Sequence, residues 1–217
     1  MTIESEREEF IRAFDVSHET LAQFDRYAAM LAEWQERINL IAPSTLPHIW
    51  NRHFYDSAQL LAHIPKDAKT IVDIGSGAGF PGMVLALLGM QGVHLIEATQ
   101  KKAKFLTAVA EELKIPVTVH AARADSALGL RADVMTARAV APLTDLLPLC
   151  RHFRQRHTVI LLLKGVQAGE ELTKARQAWH FDAETVMSRT SDSGKILILN
   201  NLLHRREVSH DRTSRRR

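Results

Sequence analysis

The stretch Thr70-Ile71-Val72-Asp73-Ile74-Gly75-Ser76-Gly77-Ala78-Gly79-Phe80-Pro81-Gly82 decides how this chain folds. Thr70, Ile71, Val72 and Ile74 are apolar or β-branched and enclose one acid, Asp73, after which glycines stand at every second position. The pattern predicts a buried parallel strand that breaks into a tight turn, with a helix opening at Pro81 and running through Leu88. Alternating glycines leave a turn with bare backbone, able to take positive φ or to approach a ligand closely. The following helix would aim its free N–H groups at whatever lies over the turn. A strand, glycine turn and helix in this order form a nucleotide-type cofactor site at the carboxyl end of a strand.

The glycine spacing bears on the cofactor. Gly77, Gly79 and Gly82 satisfy the dinucleotide spacing G-x-G-x-x-G, but in the wrong frame, since Gly75 is the glycine nearest the strand. Asp73 at the strand end would repel a pyrophosphate, whereas it can accept from the ammonium of a methionine moiety. A second strand, Val93–Glu97, ends in an acid about 20 residues beyond the turn, the distance expected of a ribose-hydroxyl acceptor. These features favour S-adenosylmethionine over a nicotinamide dinucleotide, with Asp73, Gly75, Gly77 and Glu97 as candidate contacts. The alternative is a structural turn with two solvent-facing acids.

Outward from this unit, strands and helices alternate. Strands are expected at Thr70–Ile74, Val93–Glu97, Val117–His120, Asp133–Thr136 and Thr158–Leu163. Helices are expected at Pro81–Leu88, Lys101–Leu113, Leu143–Phe153 and near Gly169–Trp179. Two further strands, about Ala183–Met187 and Lys195–Leu199, flank the turn-like Ser191-Asp192-Ser193-Gly194 and close the sheet as a hairpin. The expected fold is therefore α/β, a doubly wound and mostly parallel sheet of the class I S-adenosylmethionine-dependent methyltransferase type. Upstream, Leu21, Phe24, Ala28, Leu31, Trp34 and Ile38 recur at helical spacing, so residues 4–40 read as helix, with another at Ile49–Ile64. The domain plan is a helical extension over 1–66, a cofactor-binding core over 67–204, and a mobile basic tail over 205–217.

Composition narrows the class. The 217 residues are 46% hydrophobic and 24% charged, as in an ordinary globular protein, with a net charge of only +3. Six arginines crowd the end, from Arg205 to Arg217. The lone Cys150 excludes an internal disulfide framework and fits a reducing compartment. The acidic start carries no signal-peptide pattern, and no apolar run approaches the ~18 residues of a membrane span. A cytoplasmic, monomeric protein is expected. The eleven histidines show no metal-ligand spacing, so no metal is expected.

Several short pieces together resemble the ribosomal RNA small subunit methyltransferase G family, also called glucose-inhibited division protein B. They are Trp34 with Asn39-Leu40, Arg52-His53-x-x-Asp56-Ser57, the turn Val72–Gly82, Lys102-x-x-Phe105-Leu106, Arg123, Arg138-Ala139 and Leu163-Lys164-Gly165. The resemblance implies methyl transfer from S-adenosylmethionine to N7 of a guanine in the decoding-region loop of 16S ribosomal RNA, with that RNA or the small subunit as partner. By position it places cofactor contacts on Gly75, Phe80, Ala124, Asp125 and Arg138. Ala124-Asp125 stands where relatives often carry a bulkier residue and a glutamate.

The residues themselves admit alternatives. Asp125 is either an adenine acceptor or a helix cap. Arg138, amid small and apolar neighbours, reads as a buried charge that requires a partner, or else as a surface arginine. Arg52, His53 and Asp56 share a helical face and form either a structural salt bridge or a substrate contact. Lys164 beyond the fifth strand reads as an RNA-phosphate contact, or else as a solvated lysine, and with Arg138 it is assigned a positioning role without a general base. Arg52, His53, Lys101, Arg123 and Lys164 are the candidate RNA contacts, although Lys101, Lys102 and Lys104 also suit a solvated helix face. No amine-methylating Asn/Asp-Pro-Pro-Tyr/Phe segment follows the fourth strand, and Cys150 lies in an expected helix, away from a role as a nucleophile. Competing functions are a small-molecule or protein methyltransferase on the same fold, a non-catalytic RNA-binding module and, distantly, an NAD dehydrogenase.

Overall fold

A computed structural model describes residues 2–126 and 129–206. Seven strands form one sheet in the order β3-β2-β1-β4-β5-β7-β6. They are β1 (Ile71–Ile74), β2 (Val93–Ile96), β3 (Val117–His120), β4 (Ala132–Arg138), β5 (Arg154–Lys164), β6 (Trp179–Met187) and β7 (Lys195–His204). β1 to β5 pair in parallel, whereas β7 runs antiparallel to both β5 and β6. The winding reverses between β1 and β4, and in open α/β sheets the crevice at that switch point takes the ligand.

Helices α4 (Gly82–Leu87), α5 (Gln100–Glu112), α6 (Leu143–Cys150) and α7 (Ala168–Ala175) connect the strands. Side-chain alternation along β1 divides the apolar core in two. Ile71 joins the cluster built with α4, α5 and the N-terminal helices, while Val72 and Ile74 join the one under α6 and α7. Both faces are covered, so the central parallel strands are mainly apolar, as the sequence pattern requires.

The N-terminal region departs from the expected pair of long helices. It contains α1 (Ile3–Phe14) and α2 (His18–Gln35). Asp15 turns left-handed at φ 48 and ends the first, and the Ser17 side chain caps the second by accepting from Thr20 N at 3.1 Å. The second helix stops at Gln35, short of residue 40. There the Gln35 amide accepts from Leu40 N and Ile41 N and donates to Ile41 O, which stabilises the exit.

Residues 43–63 run through four short helical pieces of changing pitch: a 3₁₀ turn (Pro43–His48), a π segment (Trp50–Tyr55), α3 (Asp56–Ala58) and a second 3₁₀ turn (Gln59–His63). Widened π turns are frequent at functional sites, and this one carries Arg52 and His53. The extension and the sheet share one apolar cluster, with Phe10, Phe24, Tyr27 and Phe54 fully buried against α4 and α5.

Other boundaries moved as well. β5 begins at Arg154 and β6 at Trp179, each about four residues earlier than expected. Their polar or helix-like leading residues, Arg154-Gln155-Arg156-His157 and Trp179-His180, hide strand that only pairing reveals. Arg205 is not loose: its N–H bonds Ala178 O at 3.0 Å and its Nε bonds Arg176 O at 2.9 Å. The rest of the basic tail, residues 207–217, lies outside the described residues. No helix among the described residues is long and apolar enough to cross a membrane.

Candidate active site

The glycine turn behaves as its spacing requires. Gly75, Gly77 and Gly79 take φ of 66, 59 and 99. A Cβ on Gly75 would come within 2.7 Å of the Val140 side chain, so both conformation and space exclude other residues there. The turn is tied to the sheet by Ser76 N→Ile96 O at 3.0 Å and closes on itself by Gly79 N→Ser76 O at 2.7 Å. Glu97, at the end of β2 and 7% exposed, accepts from Gly77 N at 2.8 Å and from Thr99 N at 2.7 Å. Each carboxylate oxygen keeps a lone pair, so Glu97 can still receive ribose hydroxyls.

Asp73 takes a different role from the one expected. It is completely buried, with Oδ1 accepting from Thr136 Oγ1 at 2.7 Å and Oδ2 from Gly82 N at 3.2 Å. Such a carboxylate cannot meet a ligand ammonium; it fixes the start of α4 against β1 and β4. Burial pushes its pKa up to about 6, although these hydrogen bonds oppose the shift.

A cavity of about 810 Å³ opens above the turn. Gly75, Gly77, Phe80 and Glu97 line one side, Arg52, His53 and Asp56 another, and Arg138 and Lys164 the floor and rim. Arg138 ends β4 with its guanidinium 4.7 Å from the Phe80 ring centroid. It donates to Arg52 O at 2.9 Å and to His53 Nδ1 at 2.7 Å, and it pairs with Asp56 at 3.5 Å. The buried-charge reading of Arg138 therefore holds, and the Arg52-His53-Asp56 face supplies its partners.

His53 is consequently not an exposed RNA contact. It is buried, and burial, reinforced by the charges of Arg138 and Arg52, depresses its pKa to about 3. An arginine can only donate, so Nδ1 accepts and Nε2 carries the proton. That proton goes to Thr45 Oγ1 at 2.8 Å, and Thr45 in turn donates to Ala42 O at 2.7 Å. The chain of bonds sets the imidazole, which sets the guanidinium. Arg52 differs, since it uses only its carbonyl in this network while its residue lines the cavity.

Lys164 is also held. Its side chain is 9% exposed, with Nζ donating to Ala141 O at 2.7 Å and to Glu171 Oε2 at 2.8 Å, while the same oxygen accepts Leu143 N. It clamps the loop before α6 to α7, so it does not offer a free cation to RNA. Arg123 and Asp125 form a fork with each other at 3.0 to 3.3 Å and do not line the cavity, nor does Ala124. The pair is exposed, and the arginine holds the Asp125 carboxyl below its usual range. Asp125 therefore points neither to a cap nor into the pocket. Lys101 lies outside the cavity, and its neighbour Lys102 lines it.

Sequence reasoning missed three contributors. Tyr27, from α2, stacks on Phe80 with ring centroids 5.7 Å apart and donates its hydroxyl to Ala78 O. Glu171 anchors Lys164. The turn between β6 and β7 forms a further wall through Ser191, Ser193, Gly194 and Lys195. None of these carries a local motif, although Tyr27 does fall on the apolar stripe of its helix.

The donor set fits S-adenosylmethionine. Bare backbone at Gly75 leaves room for a methionine part, Glu97 lines the cavity with lone pairs free for ribose hydroxyls, and Phe80 walls the pocket. The comparisons agree. The family described as rRNA small subunit methyltransferase G matches residues 20–199. Relatives of the same description are 48% identical over 91% of this chain and 91% of the Rhodospirillum centenum protein, and 44% identical over 94% and 97% in Paramagnetospirillum magneticum.

Solved structures share the fold at low identity. Magnesium protoporphyrin IX methyltransferase from Synechocystis with bound SAM has a TM-score of 0.58 at 15% identity, covering 85% of this chain and 98% of that one. A 16S rRNA N2 methyltransferase from T. thermophilus, in complex with AdoMet and guanosine, has a TM-score of 0.51 at 16% identity, covering 67% and 38%. With a family match along most of its length and the cofactor turn in place, the chain belongs to the rRNA small subunit methyltransferase G family.

Proposed function

We propose that this chain transfers a methyl group from S-adenosylmethionine to N7 of a guanine in the decoding-region loop of 16S ribosomal RNA. It acts as a monomer in the cytoplasm, on the RNA itself or on the small subunit. S-adenosylmethionine supplies a methyl already activated by its sulfonium. Guanine N7 has an exposed lone pair and no proton to lose, so the protein has only to align the reacting atoms in line and exclude water.

The observation that carries this reading is that Asp73, His53 and Arg138, the ionisable groups built into the cofactor turn and its cover, serve position and none is poised for proton transfer. Asp73 is sealed beneath the turn, His53 is committed between Arg138 and Thr45, and Arg138 is fixed over Phe80. The thiol of Cys150 is fully buried in the cluster under α6 and α7, and burial pushes its pKa up to about 12. A thiolate nucleophile is thus out of reach, in keeping with an acceptor that needs none.

The test is single-turnover methylation of small-subunit rRNA, followed by digestion and mass spectrometry of the nucleosides. The expected product is 7-methylguanosine, and Cys150→Ser should react at near-parental rate. Another methylated nucleoside, or a folded but inactive Cys150→Ser, overturns the reading.

A further inference from the structure

Lys164 reads from sequence as the phosphate contact, yet the fold uses it internally. Its Cα partner across the antiparallel ladder is Lys195. Lys195 is half-buried at the first position of β7, lines the same cavity, and has no ion pair or side-chain hydrogen bond among the described residues. Two lysines therefore stand side by side at the rim. One is neutralised by Glu171, and the other leaves a positive charge facing the cavity.

The turn that delivers Lys195 is fixed in place. Ser188 N→Gly194 O at 2.9 Å and Gly194 N→Ser191 O at 3.1 Å close it, and a Cβ on Gly194 would lie 2.8 Å from Ser188 Cβ. It is latched to the broken helix as well. Thr190 Oγ1 donates to Asp56 Oδ1 at 2.8 Å, while the Gln59 amide donates to Ser188 Oγ at 3.0 Å and accepts Arg189 N at 3.0 Å. Asp56 is the partner of Arg138, so the turn is braced against the residue that covers Phe80. Beyond the latch, Ser191 and Ser193 bring hydroxyls to the cavity wall beside Lys195.

We infer that Lys195, with the Ser191 and Ser193 hydroxyls, forms a phosphate-binding site for the RNA strand that carries the target base. The inference rests on the functional reading above and names the side of the cavity on which the RNA backbone lies. A cation that makes no ion pair among the described residues, flanked by serine hydroxyls on a rigid turn, suits a phosphodiester. Its place in the same cavity as the glycine turn puts the phosphates next to the target nucleotide within reach.

The test is steady-state methylation of small-subunit rRNA over a salt series, with S-adenosylmethionine binding measured separately. Lys195→Met should raise the KM for RNA by about 10-fold and flatten its salt dependence by about 0.7–0.9 in log–log slope, the loss of one phosphate contact, while leaving cofactor affinity unchanged. Lys195→Arg should restore most of both. The Ser191→Ala/Ser193→Ala double variant should raise KM several-fold and leave the slope as it was. Parental KM and slope in Lys195→Met, weakened cofactor binding in that variant, or an arginine variant no better than methionine would each overturn the site. A parent protein that transfers no methyl to the rRNA would overturn the functional reading, and this site with it.

Discussion

His53 shows how one side chain ties the cofactor pocket to pH. Its folded-state pKa of about 3 lies below the ordinary 6.5, so the native state binds fewer protons than the unfolded chain. Stability from this group is fully present above pH 6.5 and is lost as pH falls toward 3. Asp73 works the other way: raised from 3.8 to about 6, it favours the native state as pH falls through that interval and offsets part of the loss. Thermal melts should therefore show the parent losing stability between pH 7 and 5. His53→Gln, which keeps an acceptor for Arg138, should remove that loss; an unchanged pH profile would count against the assignment. Gly75 carries the second prediction at this scale. Valine there meets positive φ, at a cost of about 1–2 kcal/mol, and collides with Val140. Gly75→Val should fold with a lower melting temperature and gain no thermal stabilisation from S-adenosylmethionine. Equal cofactor stabilisation in variant and parent would refute the pocket assignment.

Among the elements, α2 and the broken helix matter most to the site. α2 is more than a cover for the sheet, because Tyr27 reaches the glycine turn and bonds the carbonyl of Ala78. Burial drives the Tyr27 pKa upward, so the phenol remains a donor. Tyr27→Phe keeps the ring stack on Phe80 and strands a buried carbonyl, a loss of about 1–3 kcal/mol. Chemical denaturation should show that loss together with weaker cofactor binding, since the turn loses a tie. A variant with parental stability would mean that the bond contributes nothing. The changing pitch of residues 43–63 has a comparable purpose. It carries His53 toward Phe80 and Arg138 while Asp56 faces both Arg138 and the β6–β7 turn, so one short segment braces the arginine from two sides.

At the level of the whole molecule, the extension and the sheet share one apolar core and are expected to unfold together. Phe10, Phe24, Tyr27 and Phe54 are fully buried in the cluster that also holds Ile71, Phe80 and Phe105. Aromatic pairs link the two parts, among them Trp34–Phe105 with ring centroids 5.5 Å apart. Removal of residues 1–35 would bare α4, α5 and one face of the broken helix, exposing apolar side chains that are now fully buried. The truncated chain should be insoluble or molten by near-ultraviolet circular dichroism. A cooperative, S-adenosylmethionine-stabilised unfolding transition from residues 36–217 alone would show instead that the core folds independently.

The order of strands and helices from Thr70 onward, the glycine turn and the antiparallel closing hairpin were legible in the residues, because they rest on local patterns: alternation, helical period, and the positive φ that only glycine accepts freely. The glycine frame and Glu97 pointed to the cofactor too, whereas the part of that argument that rested on Asp73 did not survive its burial. Family motifs added Phe80 and Arg138 to the site. Tertiary structure alone decided which charges are available. Asp73, His53 and Lys164 carry the right chemistry at the right place in the sequence, but Thr136, Arg138 and Glu171 lie 63, 85 and 7 residues away and claim them. Asp125 was taken by a nearer neighbour, Arg123, in a side-chain conformation that no spacing rule specifies. Lys195 emerged for the converse reason, since the antiparallel register sets it beside Lys164, and only that pairing shows which of the two the fold leaves free. A charge is free or spent according to what packs against it, and no local spacing rule specifies that.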